Sequence, residues 1–138
     1  MQAPGQPPRI RNMDYAAATG GFEFTQYGVF DSAVDVGYLI EYLWDERNER
    51  SDNGFDNDLF LATRIAANDV KDSTLLGGVV VDLDKGSRFI SLEASRRLTG
   101  SSKISIEARL FNNIAGDDRV LLPIAQDDYL QVEYTHYL

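Results

Sequence analysis

The chain contains no cysteine and only one histidine, His136. Disulfides, thiolate metal centres and cysteine nucleophiles are excluded, and so is a metal cluster built on several imidazoles. Basic residues are few: 13 Lys and Arg stand against 22 Asp and Glu, for a net charge of −9. Nucleic acid is not an expected partner, because its phosphates need a basic surface. No run of about 18 apolar residues occurs, so no segment reads as a transmembrane helix. That says nothing against a membrane barrel, whose strands are short and only alternately apolar. The opening Met1-Gln2-Ala3-Pro4-Gly5-Gln6-Pro7-Pro8-Arg9 has no basic region followed by an apolar core, and does not read as a signal peptide.

The chain is long enough for one domain, and 43% of its 138 residues are hydrophobic, so it is not disordered by composition. The most legible stretch is Arg88 to Phe111. Arg88–Leu98 alternates, Thr99-Gly100-Ser101-Ser102 interrupts, and alternation resumes over Lys103–Phe111. Strand side chains point to opposite faces in turn, so each run sorts into two columns. One column is apolar: Ile90, Leu92, Ala94, then Ile104, Ile106, Ala108, Leu110. The other is mixed: Phe89, Ser91, Glu93, Ser95, Arg97, then Lys103, Ser105, Glu107, Arg109, Phe111.

The rest of the chain repeats this pattern. Residues 1–13 are Pro-rich and read as irregular; residues 14–138 read as strands. A first strand is expected over about Asp14–Phe30, then a tight turn at Asp31-Ser32-Ala33. Further strands follow over about Val34–Asp45, Leu59–Asn68, Thr74–Leu83, Arg88–Leu98, Lys103–Phe111 and Tyr129–Leu138. Leu59–Ala67 also admits a helix on propensity, but its neighbours favour a strand. The acidic loop Asp45–Asp58 lacks the ordered spacing of a calcium loop and reads as solvated. Val120-Leu121-Leu122-Pro123-Ile124 reads as a short apolar plug or lid.

The expected fold is therefore all-β: an antiparallel up-and-down meander of about seven long strands, either a transmembrane β-barrel or the C-terminal part of one. The clear strands approach the roughly 9–11 residues that a tilted strand needs to cross a bilayer. Short turns and long loops alternate, broken only between the fourth and fifth strands. The mixed columns bear sparse charges of both signs among small residues, which suits a confined polar lumen lined by Glu41, Arg64, Asp82, Glu93, Glu107, Arg109 and Glu133. Tyr38, Tyr42, Trp44 and Tyr134 fall in apolar columns and read as membrane-interface aromatics. A soluble barrel or sandwich, with the apolar columns turned inward around a small apolar ligand, is the alternative.

Three segments resemble the C-terminal strands of Gram-negative, porin-like outer-membrane β-barrel proteins. They are Asp35-Val36-Gly37-Tyr38-Leu39-Ile40-Glu41-Tyr42-Leu43-Trp44-Asp45, Phe60-Leu61-Ala62-Thr63-Arg64-Ile65-Ala66-Ala67-Asn68-Asp69 and Ser91-Leu92-Glu93-Ala94-Ser95-Arg96-Arg97-Leu98. The likeness spans about residues 14–138 and is one of strands and turns, not of a catalytic motif. It implies residence in the bacterial outer membrane, lipid as a partner, and capture of the last strand by the barrel-assembly machinery. Leu130, Val132, Tyr134, His136 and Leu138 follow the spacing of that terminal signal, but Leu138 departs from the usual aromatic end and His136 from an apolar place. An odd strand count implies further strands of the same barrel outside this chain, a strand hidden in residues 1–13, or a barrel assembled from several copies. No catalytic residue, cofactor or metal is expected: His136 lies in an apolar column, away from Ser91, Ser95 and Ser105, and the acids have arginines nearby.

Overall fold

The computed structural model describes residues 14–47, 55–118 and 121–138. The expectations for residues 1–13, for residues 48–54 of the acidic loop and for Val120 lie outside the described residues. Seven strands form one sheet in strict sequence order: β1 (Ala17–Gln26), β2 (Asp35–Asp45), β3 (Asn57–Ala66), β4 (Thr74–Asp82), β5 (Arg88–Thr99), β6 (Ser102–Asn112) and β7 (Tyr129–His136). Each pairs antiparallel with the next, and the sheet is not closed. The expected all-β meander is what forms. Leu59–Ala66 is strand, so β-sheet neighbours override the helical propensity of its Leu and Ala.

The first strand is shorter than expected. It stops at Gln26 because Gly28, Phe30 and Asp31 take left-handed backbone, at φ of 61°, 56° and 56°. A 3-10 turn over Val29–Asp31 therefore replaces both the end of the strand and the tight turn expected at Asp31-Ser32-Ala33. Ser32 Oγ donates to the Val29 carbonyl at 2.6 Å, and Asp35 Oδ1 accepts from the Gly28 N–H at 3.0 Å. β3 ends at Ala66 and β7 at His136, each short of its expected end. Within the apolar plug, Leu122–Ile124 form a 3-10 turn with Pro123 in its first turn.

Register carries the two columns across the whole sheet. One continuous row on the apolar face is Phe22, Ile40, Leu61, Val79, Ile90, Leu110. Its neighbour runs Phe24, Tyr38, Thr63, Gly77, Leu92, Ala108, Leu130. Arg88 and Arg96 are the formal charges on this face, and both lie toward its margins. Arg96 reaches Asp69 in the β3–β4 turn, Nη2 to Oδ2 at 4.0 Å, so its guanidinium leaves the apolar surface while its stem covers it. The neighbouring amides hold Asp69 ready: the Ser73 N–H pushes its carboxyl below the ordinary range.

Gly21 marks the tightest backbone approach in the sheet. A Cβ there would stand 2.9 Å from the Ile40 carbonyl oxygen. A Gly21→Val substitution should therefore part β1 from β2. Hydrogen exchange by mass spectrometry should show the β1 amides losing protection while β4–β6 keep theirs.

Candidate functional site

On the polar face, chemistry-bearing side chains meet in number. Register draws Arg64, Leu76, Glu93, Glu107 and Gln131 into one row across β3 to β7. Ala66, Thr74, Ser95, Ser105 and Glu133 form the next, and Ser91, Arg109 and Tyr129 flank the first row on the other side. Between these rows lies a groove of about 320 Å³, lined by Arg64, Glu93, Ser95, Lys103, Glu107 and Glu133. Five of the expected lumen residues, Arg64, Glu93, Glu107, Arg109 and Glu133, thus come together.

Glu93 and Glu107 are direct cross-strand partners. Like charges so placed repel. Glu107 is relieved on its free side: Arg109 Nε sits 2.9 Å from its Oε1, and the Tyr129 hydroxyl donates to the same oxygen. The Arg109 guanidinium also lies 5.7 Å from the Tyr129 ring centre. Among the described residues, no ion pair or side-chain hydrogen bond closes on Arg64, Glu93 or Lys103. The groove therefore presents two cations and one carboxylate without a side-chain partner among the described residues.

Glu41 and Asp82 stand elsewhere. Glu41 accepts a 3.1 Å hydrogen bond from Thr19 and shares its row with Phe60, Val80, Phe89 and Phe111. The Phe89 and Phe111 rings meet at 5.0 Å between centroids, so this half of the polar face is aromatic. Alternation placed these rings on the charged column correctly, but only register shows that they assemble. Asp82 stands at the rim, apart from the groove. It is 6% exposed, and its Oδ1 accepts the Asp84 and Lys85 N–H groups at 2.8 and 2.7 Å. It caps the β4–β5 turn and is not among the residues that line the groove.

The four aromatics expected at membrane interfaces, Tyr38, Tyr42, Trp44 and Tyr134, all lie exposed on the apolar face. Trp44 and Tyr42 sit toward the end that bears the long loops, and Tyr42 donates to Asn57 Oδ1 at 2.8 Å. Tyr134 pairs with Ile104 toward the opposite end.

The acidic loop at the long-loop end reads as solvated in sequence, but part of it is buried. Asp45, Asp56, Asp58, Asp82, Ser87 and Asp118 are all buried there. Asp45 is gripped by Arg47 through Nε at 2.9 Å and Nη2 at 2.6 Å, and that guanidinium stacks 3.7 Å over the Tyr15 ring. Asn57 Nδ2 donates to Asp84 Oδ1 at 2.7 Å, and Ser87 Oγ accepts the Ala115 N–H at 3.0 Å. These bonds tie the β2–β3, β4–β5 and β6–β7 connections into one rim. Burial pushes the Asp58 carboxyl up to about 6, with the Asp82 charge adding to it and the Asn57 backbone opposing it. Burial also pushes Asp56 up, against the pull of Lys85. Among the described residues, no three His, Asp or Glu side chains form a ready metal cage.

No family model matches the chain, and neither curated proteins nor solved structures yield a match. The geometry alone informs the functional reading.

Proposed function

We propose that the chain is part of the wall of a transmembrane β-barrel of the bacterial outer membrane, structural or channel-forming, with the apolar face in lipid and the polar groove in the lumen. One observation carries this reading: the apolar face has no cover. Among the described residues no hydrophobic side chain is buried, whereas Phe22 is 65% exposed, Ile40 43% and Val132 61%. Water does not tolerate a continuous apolar sheet of this extent, and a bilayer requires one. The strands, of 8 to 12 residues, bracket the span of a tilted membrane strand. The apolar rows begin at Leu59 and Val81, so Asp56, Asp58 and Asp82 lie beyond them at the rim.

Strand parity supports a barrel larger than this sheet. With seven antiparallel strands, β1 and β7 point the same way. Neither pairs antiparallel with the other, nor with the edge of a like-oriented copy. An antiparallel wall therefore needs an odd number of further strands, because bare edges are not stable in lipid. Assembly of such strands would engage the β7 edge, where the barrel-assembly machinery would act. Acids outnumber arginines among Glu41, Arg64, Glu93, Glu107, Arg109 and Glu133, which would favour cations weakly in an open lumen.

A second reading rests on a trough of about 800 Å³ on the apolar face, lined by Phe22, Tyr38, Ile40, Leu61, Val79 and Ile90. Turned inward in a soluble barrel, it would hold a small apolar ligand. The single tryptophan separates the two. In lipid vesicles, Trp44 fluorescence should be quenched by lipids brominated near the headgroup more than by lipids brominated at the chain end. Unquenched emission from chain that stays dissolved without detergent would overturn the membrane reading in favour of the soluble one.

A further inference from the structure

We propose that the polar face binds a zwitterionic amino acid with an aromatic side chain: its carboxylate on Arg64, its ammonium on Glu93 and its ring in an apolar hollow over Gly78. The proposal rests on the lumen reading above and names the class of solute that this face holds. The hollow adjoins the charged groove and measures about 250 Å³. Phe60, Leu76, Val80 and Phe89 wall it. Its floor is the row in which Ala62, Gly78 and Ser91 are cross-strand neighbours, all of them small. Gly78 keeps it open. A Cβ there would stand 3.3 Å from Phe60 Cε2 and 3.6 Å from the Ala62 Cβ, so a larger residue would fill the space. An apolar hollow on a wetted face gives up its contact with water when a ring enters it, and that burial favours binding. Two of the walls are phenyl rings, which suit a third ring in edge-to-face or offset contact.

The charged groove selects the other end of the ligand. Glu93 has the greater need of a cation. It faces Glu107 across the strand pair, and Arg109 and Tyr129 engage Glu107 rather than Glu93. With Arg109 set against Glu107, the groove retains Arg64 and Lys103 against Glu93 and Glu133. Such a balance does not select a simple ion of either sign. It suits a solute that carries one charge of each, held by charge-assisted hydrogen bonds at both ends.

Register places the three contacts at the right spacing. Leu76 lines both the groove and the hollow, so the two are continuous along β4. Leu76 also stands between Arg64 and Glu93 in one row. Two strand spacings set the backbones of Arg64 and Glu93 roughly 9–10 Å apart. Among the described residues no ion pair joins them. Both side chains are long, and the gap they leave matches the short separation of ammonium and carboxylate in an amino acid. The row of Gly78 is the next on the same face, roughly 6–7 Å along the strands. A phenylalanine or tyrosine side chain spans that step.

The test follows para-fluoro-L-phenylalanine by fluorine NMR, with the full chain folded in detergent and protein-free micelles as the blank. The resonance should broaden with the wild type and sharpen when unlabelled L-phenylalanine displaces the probe. Phenylacetate lacks the ammonium and phenethylamine lacks the carboxylate, so each should compete roughly tenfold less well. Arg64→Gln and Glu93→Gln should weaken probe binding by a similar factor. Gly78→Val should remove the advantage of L-phenylalanine over glycine as a competitor. Asp117→Asn, in the exposed β6–β7 connection, should change nothing. Probe binding by both charge variants as tight as by the wild type would overturn the proposal. So would equal competition by the three phenyl compounds, since the hollow would then take any ring regardless of its charges. Broadening no greater than the blank would also overturn it, and Trp44 quenching in vesicles would still report separately on the membrane wall.

Discussion

Ile40→Arg should destabilise the chain folded in lipid vesicles by about 2–4 kcal/mol, the cost of a cation at the midplane of a membrane barrel. Ile40 is at the centre of β2, on the apolar face, between Phe22 and Leu61. An arginine there has apolar neighbours on both adjacent strands, and in the proposed membrane wall it would have the half-thickness of the bilayer between its charge and either interface. Snorkelling, which in that wall would serve Arg96 nearer its strand end, would not reach from this position. The matched change on the other face, Ala62→Lys, should cost far less, because Ala62 shares its row with Ser91 and Arg109. Denaturant midpoints of both variants, measured in the same vesicles, give the comparison. Equal and small effects would mean that the apolar face is wet, and the membrane assignment would fall. The experiment reports that the face is covered, and Trp44 quenching reports by what.

The two faces were legible because a period of two survives any choice of register. Ile90, Leu92, Ile104 and Ile106 sort together whichever residues oppose them. The assembly of the groove was half legible. Alternation placed Arg64, Glu93, Glu107 and Glu133 on one face, but it took the pairing of β3 through β7 to bring them into adjacent rows. Strand ends were the weakest part. Phe30 carries a bulky side chain in left-handed backbone, a conformation propensity assigns to glycine or asparagine, so the end of β1 gave no local warning. Asp82 shows a related limit of alternation. Its parity puts it on the polar face, but parity does not report that a side chain folds back onto its own turn.

The rim was illegible altogether. Asp58 closes a run of polar residues that looks solvated in sequence, and only its pairing with Asp82 buries it. That burial has a consequence for stability. Burial pushes the Asp58 carboxyl from the ordinary aspartate value up to about 6 in the folded chain. A group whose folded value is raised stabilises the fold only while it is protonated. Wild-type stability should therefore be highest near pH 4 and fall as pH rises through about 6, by at most about 3 kcal/mol at roughly 1.4 kcal/mol per pH unit of displacement. Asp58→Asn keeps the shape, removes the charge and can donate a hydrogen bond toward Asp82. Its stability should lack that fall, so at pH 8 it should exceed the wild type by about 1–3 kcal/mol. Urea unfolding across pH 4–8 measures both curves. Parallel curves would show that the Asp58 carboxylate is comfortable as it stands.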